Sequence, residues 1–280
     1  SALLRAACRP TSAAMRHLIP FLNSEPTVSV IRLQGMIAAQ GRGQTLNDAG
    51  LAGLIQKAFT RGKPKAVALV VNSPGGSPSQ SSLIAARIRR LAKEKDVKVH
   101  AFVEDVAASG GYYIASAADD IWVDHHSIVG SIGVISAGFG LDEFIARHGV
   151  TRRVYTAGKS KSMLDPFRPE KDEDIARLRQ LQDHIHGAFI DHVKARRGDA
   201  LNEEMDLFDG EIWVGAEALR TGLIDGVAHL VPKMKELYGD KVRLRPYAMR
   251  RPLLGRLGAS LAGDAMAEIE ARAAFGRFGV

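Results

Sequence analysis

Residues 65–105 read KAVALVVNSPGGSPSQSSLIAARIRRLAKEKDVKVHAFVED. The first nine residues are a continuous apolar run, the pattern of a strand covered on both faces in a parallel sheet. Pro74-Gly75-Gly76 breaks that run. A helix then opens at about Pro78 and runs to Lys95. Ser77 can cap it, proline suits its first turn, and Ile84, Ile88 and Leu91 fall on one stripe. Residues 97–105 return as a second apolar strand. Strand, helix and strand in this order form a β-α-β unit with a right-handed crossover.

The same alternation extends outward in both directions. TVSVIRLQG (27–35) is β-branched and alternating, so it reads as a strand. NDAGLAGLIQKAFTRG (47–62) reads as a helix opened by Asn47. Past Ser109 come a small-residue helix and a strand at 120–125. The glycine-rich GSIGVISAGFG (130–140) reads as strand and loop, 141–149 as a short helix, and 150–158 as a strand. A long helix is expected from Glu170 to Arg197. Its acidic first turn and its basic end (Lys194, Arg196, Arg197) complement the helix dipole, and Gly198 can stop it. EIWVG, AEALRTG and LIDGVAHL then make a small β-α-β tail, followed by a helix at 231–239. These elements give one α/β domain, residues 26–240, with a mainly parallel sheet. An N-terminal arm (1–25) and a basic C-terminal tail (241–280) flank it.

Bulk properties exclude several function classes. The chain has 280 residues and a formal charge of +7. Residues 241–280 hold eight Lys/Arg against three Asp/Glu, so most of the excess sits in the tail. That distribution gives no reason to expect a nucleic-acid partner at the main site. Cys8 is the only cysteine, which excludes an intramolecular disulfide and a thiolate metal cluster. No apolar run reaches the roughly 18–20 residues of a membrane span. SALLRAACRPTSAAMRHLIPFL, with Arg5, Arg9 and Arg16, can lie on an anionic membrane surface or form a loosely docked arm. A location in the cytoplasm or at the membrane periphery is the expectation. A first residue other than Met fits a processed or trimmed terminus.

Three segments carry chemistry. Ser109-Gly110-Gly111 stands where a strand ends and a helix begins. Such a turn can expose a hydroxyl, while the helix N-terminus supplies unpaired N–H groups for a developing oxyanion. The bland reading is a pair of glycines closing a turn. Asn72-Ser73-Pro74-Gly75-Gly76 is a second strand-to-helix turn. Its N–H groups at Gly76 and Ser77 can point into a cleft, or the turn can be merely tight. It lacks the pattern of a phosphate loop. In TAGKSKSMLDPF (156–167), Lys159 or Lys161 taken alone reads as a solvated loop lysine. A lysine serves as a general base only when it is neutral near pH 7, which calls for an apolar cleft. The nine histidines form no metal or triad pattern. His184 and His186 lie on different faces of one helix, His125 and His126 are adjacent, and HExxH is absent.

Taken together, VVNSPGGSPSQS, VEDVAASGGYYIASAADDIWVDHHSIVGSIGVI and YTAGKSKSMLDPF resemble the signal peptide peptidase A family of bacterial serine peptidases, peptidase family S49, over about Thr27 to Leu230. The resemblance implies a ClpP/crotonase-like fold of repeated β-β-α and β-α-β units, and a Ser-Lys dyad instead of a triad. It implies Ser109 as nucleophile, Lys161 as general base with Lys159 a bystander, and oxyanion N–H groups at Gly76 and Gly110. It also implies that Ser131 orients the lysine. No cofactor or metal is implied. The substrates would be extended peptides, such as cleaved signal peptides or other membrane-derived fragments. Short members with one peptidase unit, like this chain, assemble into homo-oligomeric rings whose site residues can come from neighbouring subunits. Many relatives have Asp where this chain has Asn72, and many carry an N-terminal membrane anchor. A crotonase-like acyl-CoA enzyme, or a non-catalytic ring-forming scaffold on the same fold, are the rival readings.

Overall fold

A computed structural model describes residues 25–40, 45–158, 160–249, 269 and 272–279. The expected N-terminal arm with Cys8, Lys159 and most of the basic tail lie outside the described residues. The elements follow in the order β1 (Thr27–Gln34), α1 (Asp48–Thr60), β2 (Ala66–Ser73), α2 (Pro78–Lys95), β3 (Lys98–Ala108), α3 (Gly110–Ala115), β4 (Asp120–Val123) and β5 (Ile128–Gly130). Then come α4 (Asp142–Arg147), α5 (Asp172–Arg197), β6 (Ile212–Val214), β7 (Gly226–Val227), α6 (Leu230–Tyr238) and β8 (Arg243–Tyr247).

All eight residues of β2 are buried, as its unbroken apolar run requires. It lies mid-sheet in the order β6-β5-β3-β2-β1-β8, with β4 and β7 branching from β3. Every pairing is parallel except β5 with β6. One sheet face packs Ile31, Leu33, Leu69 and Val71 against α1 and α2, where Leu51, Ile55, Ile84 and Ile88 are fully buried. The other face packs Val30, Val70 and Phe102 against Met234 of α6. The helix caps are those the residues call for: the Asn47 carboxamide oxygen accepts from the Gly50 N–H, and the Ser77 hydroxyl accepts from the Gln80 N–H.

The structure corrects four sequence expectations. Residues 150–158 form no strand. Val150 and Tyr155 are exposed, and no strand among the described residues pairs with them to complete a ladder. Of the glycine-rich stretch 130–140 only Gly130 pairs, as the last residue of β5, because the chain leaves the sheet at Ser131. AEALRTG winds as a 3-10 helix (Gly215–Thr221), ended by Gly222 in the left-handed region. Arg243–Tyr247, read as the start of the tail, is an edge strand parallel to β1. Pro246 stands in that edge strand, where a missing N–H breaks no interior ladder.

Candidate functional site

β2 and β3 end side by side, and both chemistry-bearing turns leave from their C-terminal ends. This edge is where parallel α/β sheets place their ligand crevices. Ser109 follows the last residue of β3 and caps α3 with φ 51° and ψ −121°. A non-glycine residue held at positive φ costs about 1–3 kcal/mol, so the surroundings must impose it. They do so through main-chain bonds. The Ser109 N–H donates to the Gly130 carbonyl (2.8 Å), and the Ser109 carbonyl accepts from the Tyr113 N–H (3.0 Å). The result is a sharp strand-to-helix turn of the kind that presents a nucleophile. The hydroxyl makes no capping bond to the helix it opens.

The second turn folds against the first. A Cβ built on Gly75 would lie 2.9 Å from Ser109 Cβ and 2.8 Å from the Gly110 nitrogen. One built on Gly110 would lie 3.4 Å from the Gly76 nitrogen. Gly76, Ser109 and Gly110 thus share one wall of a cleft of about 520 Å³. The Gly110 N–H belongs to the first turn of α3 and has no helical acceptor. Gly76 also donates to no main-chain acceptor among the described residues. The Ser77 N–H, the other expected oxyanion donor, is spent on the Ile37 carbonyl at 2.7 Å. Of the two N–H groups read from the sequence, only Gly76 keeps that capacity.

The far wall was not legible in the sequence. His184, Ile185, Ala188 and Phe189 of α5 face the turns, with Leu83 of α2 and Val134. The cleft is apolar in character and carries no carboxylate among its described lining residues. α5 is held there by its own polar contacts. Arg196 donates to the Ser116 and Ala118 carbonyls, and Arg197 pairs with Asp225 at 2.8 Å. His192 stacks on Tyr113 with centroids 3.8 Å apart, and its Nε2 lies 3.1 Å from the Tyr113 carbonyl. The histidines face differently, as expected. His184 borders the cleft with Nδ1 on the Gln180 carbonyl, and His186 reaches the Ile132 carbonyl.

Burial in this joint lowers His192 to about 4, partly opposed by its contact with the Tyr113 carbonyl. An unfolded-chain histidine titrates near 6.5, so the folded value is the lower one. The resulting stability is present above pH 6.5 and is lost as the pH falls through 4. Urea unfolding at pH 7 and pH 4.5 is expected to give a His192→Phe protein that loses less stability on acidification than the parent, by on the order of 2 kcal/mol. Equal losses would show that His192 does not couple α5 to pH.

Ser131 and Lys161 are placed differently from the serine. Ser131 is half-buried at φ 51°, one residue past the carbonyl that holds Ser109, and its N–H donates to the Glu211 carbonyl at 2.6 Å. Lys161 is exposed and does not line the cleft. It rides on an arm that leaves the sheet after β5. The arm's bonds are largely internal: the Leu141 N–H to the Pro166 carbonyl (2.6 Å), and Arg152 to Asp165 (3.2 Å). The Phe167 N–H, together with Arg152, holds the Asp165 carboxyl below its ordinary range. The arm exposes large apolar side chains, among them Phe139 at 84% and Tyr155 at 92%. None of the residues of α4 is buried. Asn72 donates from Nδ2 to the Asp105 carboxylate.

Comparison with known proteins relates the chain to a peptidase family. The model of Peptidase family S49 matches residues 91–239. A protein of Brucella melitensis named Na(+)/H(+) antiporter NhaA is 52% identical over 86% of this chain, which spans 33% of that protein. The chloroplastic serine protease SPPA of Arabidopsis thaliana is 32% identical over 72% of the chain, which spans 31% of it. Among solved structures, a lysine-to-alanine mutant of the 1510-N membrane-bound stomatin-specific protease, in complex with a substrate peptide, is similar in fold. It has a TM-score of 0.51 and 16% identity, covering 88% of this chain and 98% of that one. The chain therefore spans about a third of the first two relatives. No helix among its described residues is long and apolar enough to cross a membrane.

Proposed function

The chain belongs to peptidase family S49, and from that premise we propose that it is a serine endopeptidase working through a Ser109–Lys161 dyad. The observation that carries the reading is Ser109 itself. Its hydroxyl is held by a strained turn at a helix N-terminus, beside the N–H groups of Gly76 and Gly110. The neutral Lys161 amine takes the Ser109 proton as Oγ attacks a peptide carbonyl. The two main-chain N–H groups hold the oxyanion, each worth about 3 kcal/mol by analogy with measured oxyanion holes. The lysine ammonium returns its proton to the leaving amine, and water then hydrolyses the acyl-enzyme.

The apolar far wall supports an apolar side chain next to the scissile bond. Extended substrates fit the unpaired backbone at Gly133 and Val134, which can accept an added strand. Apolar peptides of this kind include cleaved signal peptides and other membrane-derived fragments. The placement of Lys161 supports a dyad shared between copies. In a homo-oligomer, a second copy would cover the arm's exposed apolar residues and bring Lys161 to the neighbouring Ser109. The lack of carboxylates among the described lining residues speaks against the acid/base chemistry of an acyl-CoA enzyme.

A fluorophosphonate probe followed by peptide mass spectrometry tests the assignment. Labelling at Ser109 in the wild type, and at least tenfold less in Lys161→Ala, is the expected result. Labelling at another serine, or none at all, would remove the peptidase reading.

A further inference from the structure

The C-terminal segment returns to the site from behind. Phe275 and Phe278 pack against Val106, Ala108 and Ile128. Ala108 immediately precedes Ser109, and Ile128 stands two residues before Gly130, so the segment rests on the two strands that carry Ser109 and Ser131. Between the two phenylalanines, Arg277 lies over the Phe278 ring at 4.5 Å. Its guanidinium donates to Ser131 Oγ at 3.5 Å. An exposed guanidinium therefore sits beside the serine that follows Gly130.

We propose that Arg277 is a positioning residue that keeps the catalytic lysine uncharged. The inference rests on the Ser109–Lys161 reading. A hydroxyl that accepts from a guanidinium keeps its own O–H to donate. A neutral amine can receive that hydrogen bond, whereas an ammonium has three donors and no acceptor. With Arg277 on Ser131, one of the hydroxyl's two acceptor sites is taken and its O–H is left to donate to the neutral amine of the arriving Lys161. The nearby guanidinium acts in the same direction, because like charges disfavour the protonated amine. Phe275 and Phe278, anchored on either side of it in the chain, keep the exposed guanidinium near Ser131.

Other charged groups surround the same corner. Glu211 and Asp209 lie on the β6 side, where the Glu211 carbonyl accepts from Ser131 and the Glu211 N–H donates to the Asp209 carboxylate. His186 of α5 contacts the Ile132 carbonyl, and His184 borders the cleft. On the lysine's own arm stand Arg152, Asp165 and Arg168. Because His186 contacts the Ile132 carbonyl, next to Ser131 in the chain, the test needs a His186→Asn control.

The experiment is the pH profile of kcat/KM for an apolar peptide, measured on the full chain for wild type, Arg277→Met, Arg277→Lys, His186→Asn and Lys161→Ala. The acid limb reports loss of the neutral base. In Arg277→Met it is expected to move to higher pH by about one unit, with the plateau rate kept within about threefold. Arg277→Lys is expected to restore part of the shift, and His186→Asn to leave the limb in place. A uniform loss at every pH would mark Arg277 as merely structural, and a uniform gain would mark the tail as a plug. Either result overturns the proposal while leaving the dyad standing. Full activity in Lys161→Ala would instead remove the dyad on which it rests.

Discussion

Co-assembling Ser109→Ala with Lys161→Ala is expected to recover about a quarter of wild-type peptidase activity from two chains that are each inert. Each variant alone lacks one half of the dyad and is expected to lose at least about 10³-fold in kcat, because members of such a unit fail together. In a mixed oligomer with head-to-tail contacts, a site works when one neighbour brings the intact serine and the other the intact lysine. Random assortment of equal amounts places that pair at one site in four. Co-expression with two affinity tags, followed by assay of the doubly purified fraction, measures it. The motive is structural: Ser109 lines the cleft, while Lys161 is exposed on an arm bonded largely to itself. If each variant is dead and the mixture stays dead, the dyad closes within one chain. If Lys161→Ala is active alone, Lys161 is no base.

The second large effect falls on Gly76. A Cβ there would stand 2.1 Å from the Ile37 carbonyl oxygen, on a backbone with φ of +140°. The clashing atom is main chain, so no side chain can swing away. Ile37 is fixed from both sides: its N–H donates to the Gly75 carbonyl (2.9 Å), and its carbonyl accepts from the Ser77 N–H (2.7 Å). Gly76→Ala must distort both bonds. The expected cost is about 3 kcal/mol or more. The protein that still folds should lose about 10²–10³-fold in kcat, because one oxyanion donor moves. Urea unfolding and turnover on the folded fraction separate the two effects. Gly138→Ala is the control, since nothing lies within 4 Å of that site. A Gly76→Ala protein of ordinary stability and rate would show that this turn does not hold the oxyanion.

Much of this arrangement was legible in the sequence. The apolar run of β2 and the Ser77-Pro78 start of α2 gave element type and boundary together, because strand burial and helix capping are local in sequence. The pairing of the two glycine turns was readable once two parallel strands were recognised, since neighbouring parallel strands end at the same edge. The α5 wall was hidden because Ile185, Ala188 and Phe189 look like any helical stripe until the helix is placed. What places it is a set of arginine-to-carbonyl bonds some eighty residues apart in sequence. The false strand at 150–158 has a related cause. Val150, Val154 and Tyr155 carry β-propensity, but propensity supplies no neighbouring strand to pair with. The sequence leaves Gly76 and Ser77 both open because a glycine turn offers several N–H groups, and only the fold decides that the Ser77 N–H is already used on Ile37.

A dyad split between an arm and a neighbour's cleft makes abundance the safety catch. On that proposal a solitary chain would hold a nucleophile without a base, so dilution would silence it and crowding would arm it. A newly synthesised copy would then pass among unfolded chains without cutting them. Other peptidases achieve that restraint with a leader that must later be cut away. Here the arm around Lys161 would provide it reversibly, with no covalent bond broken.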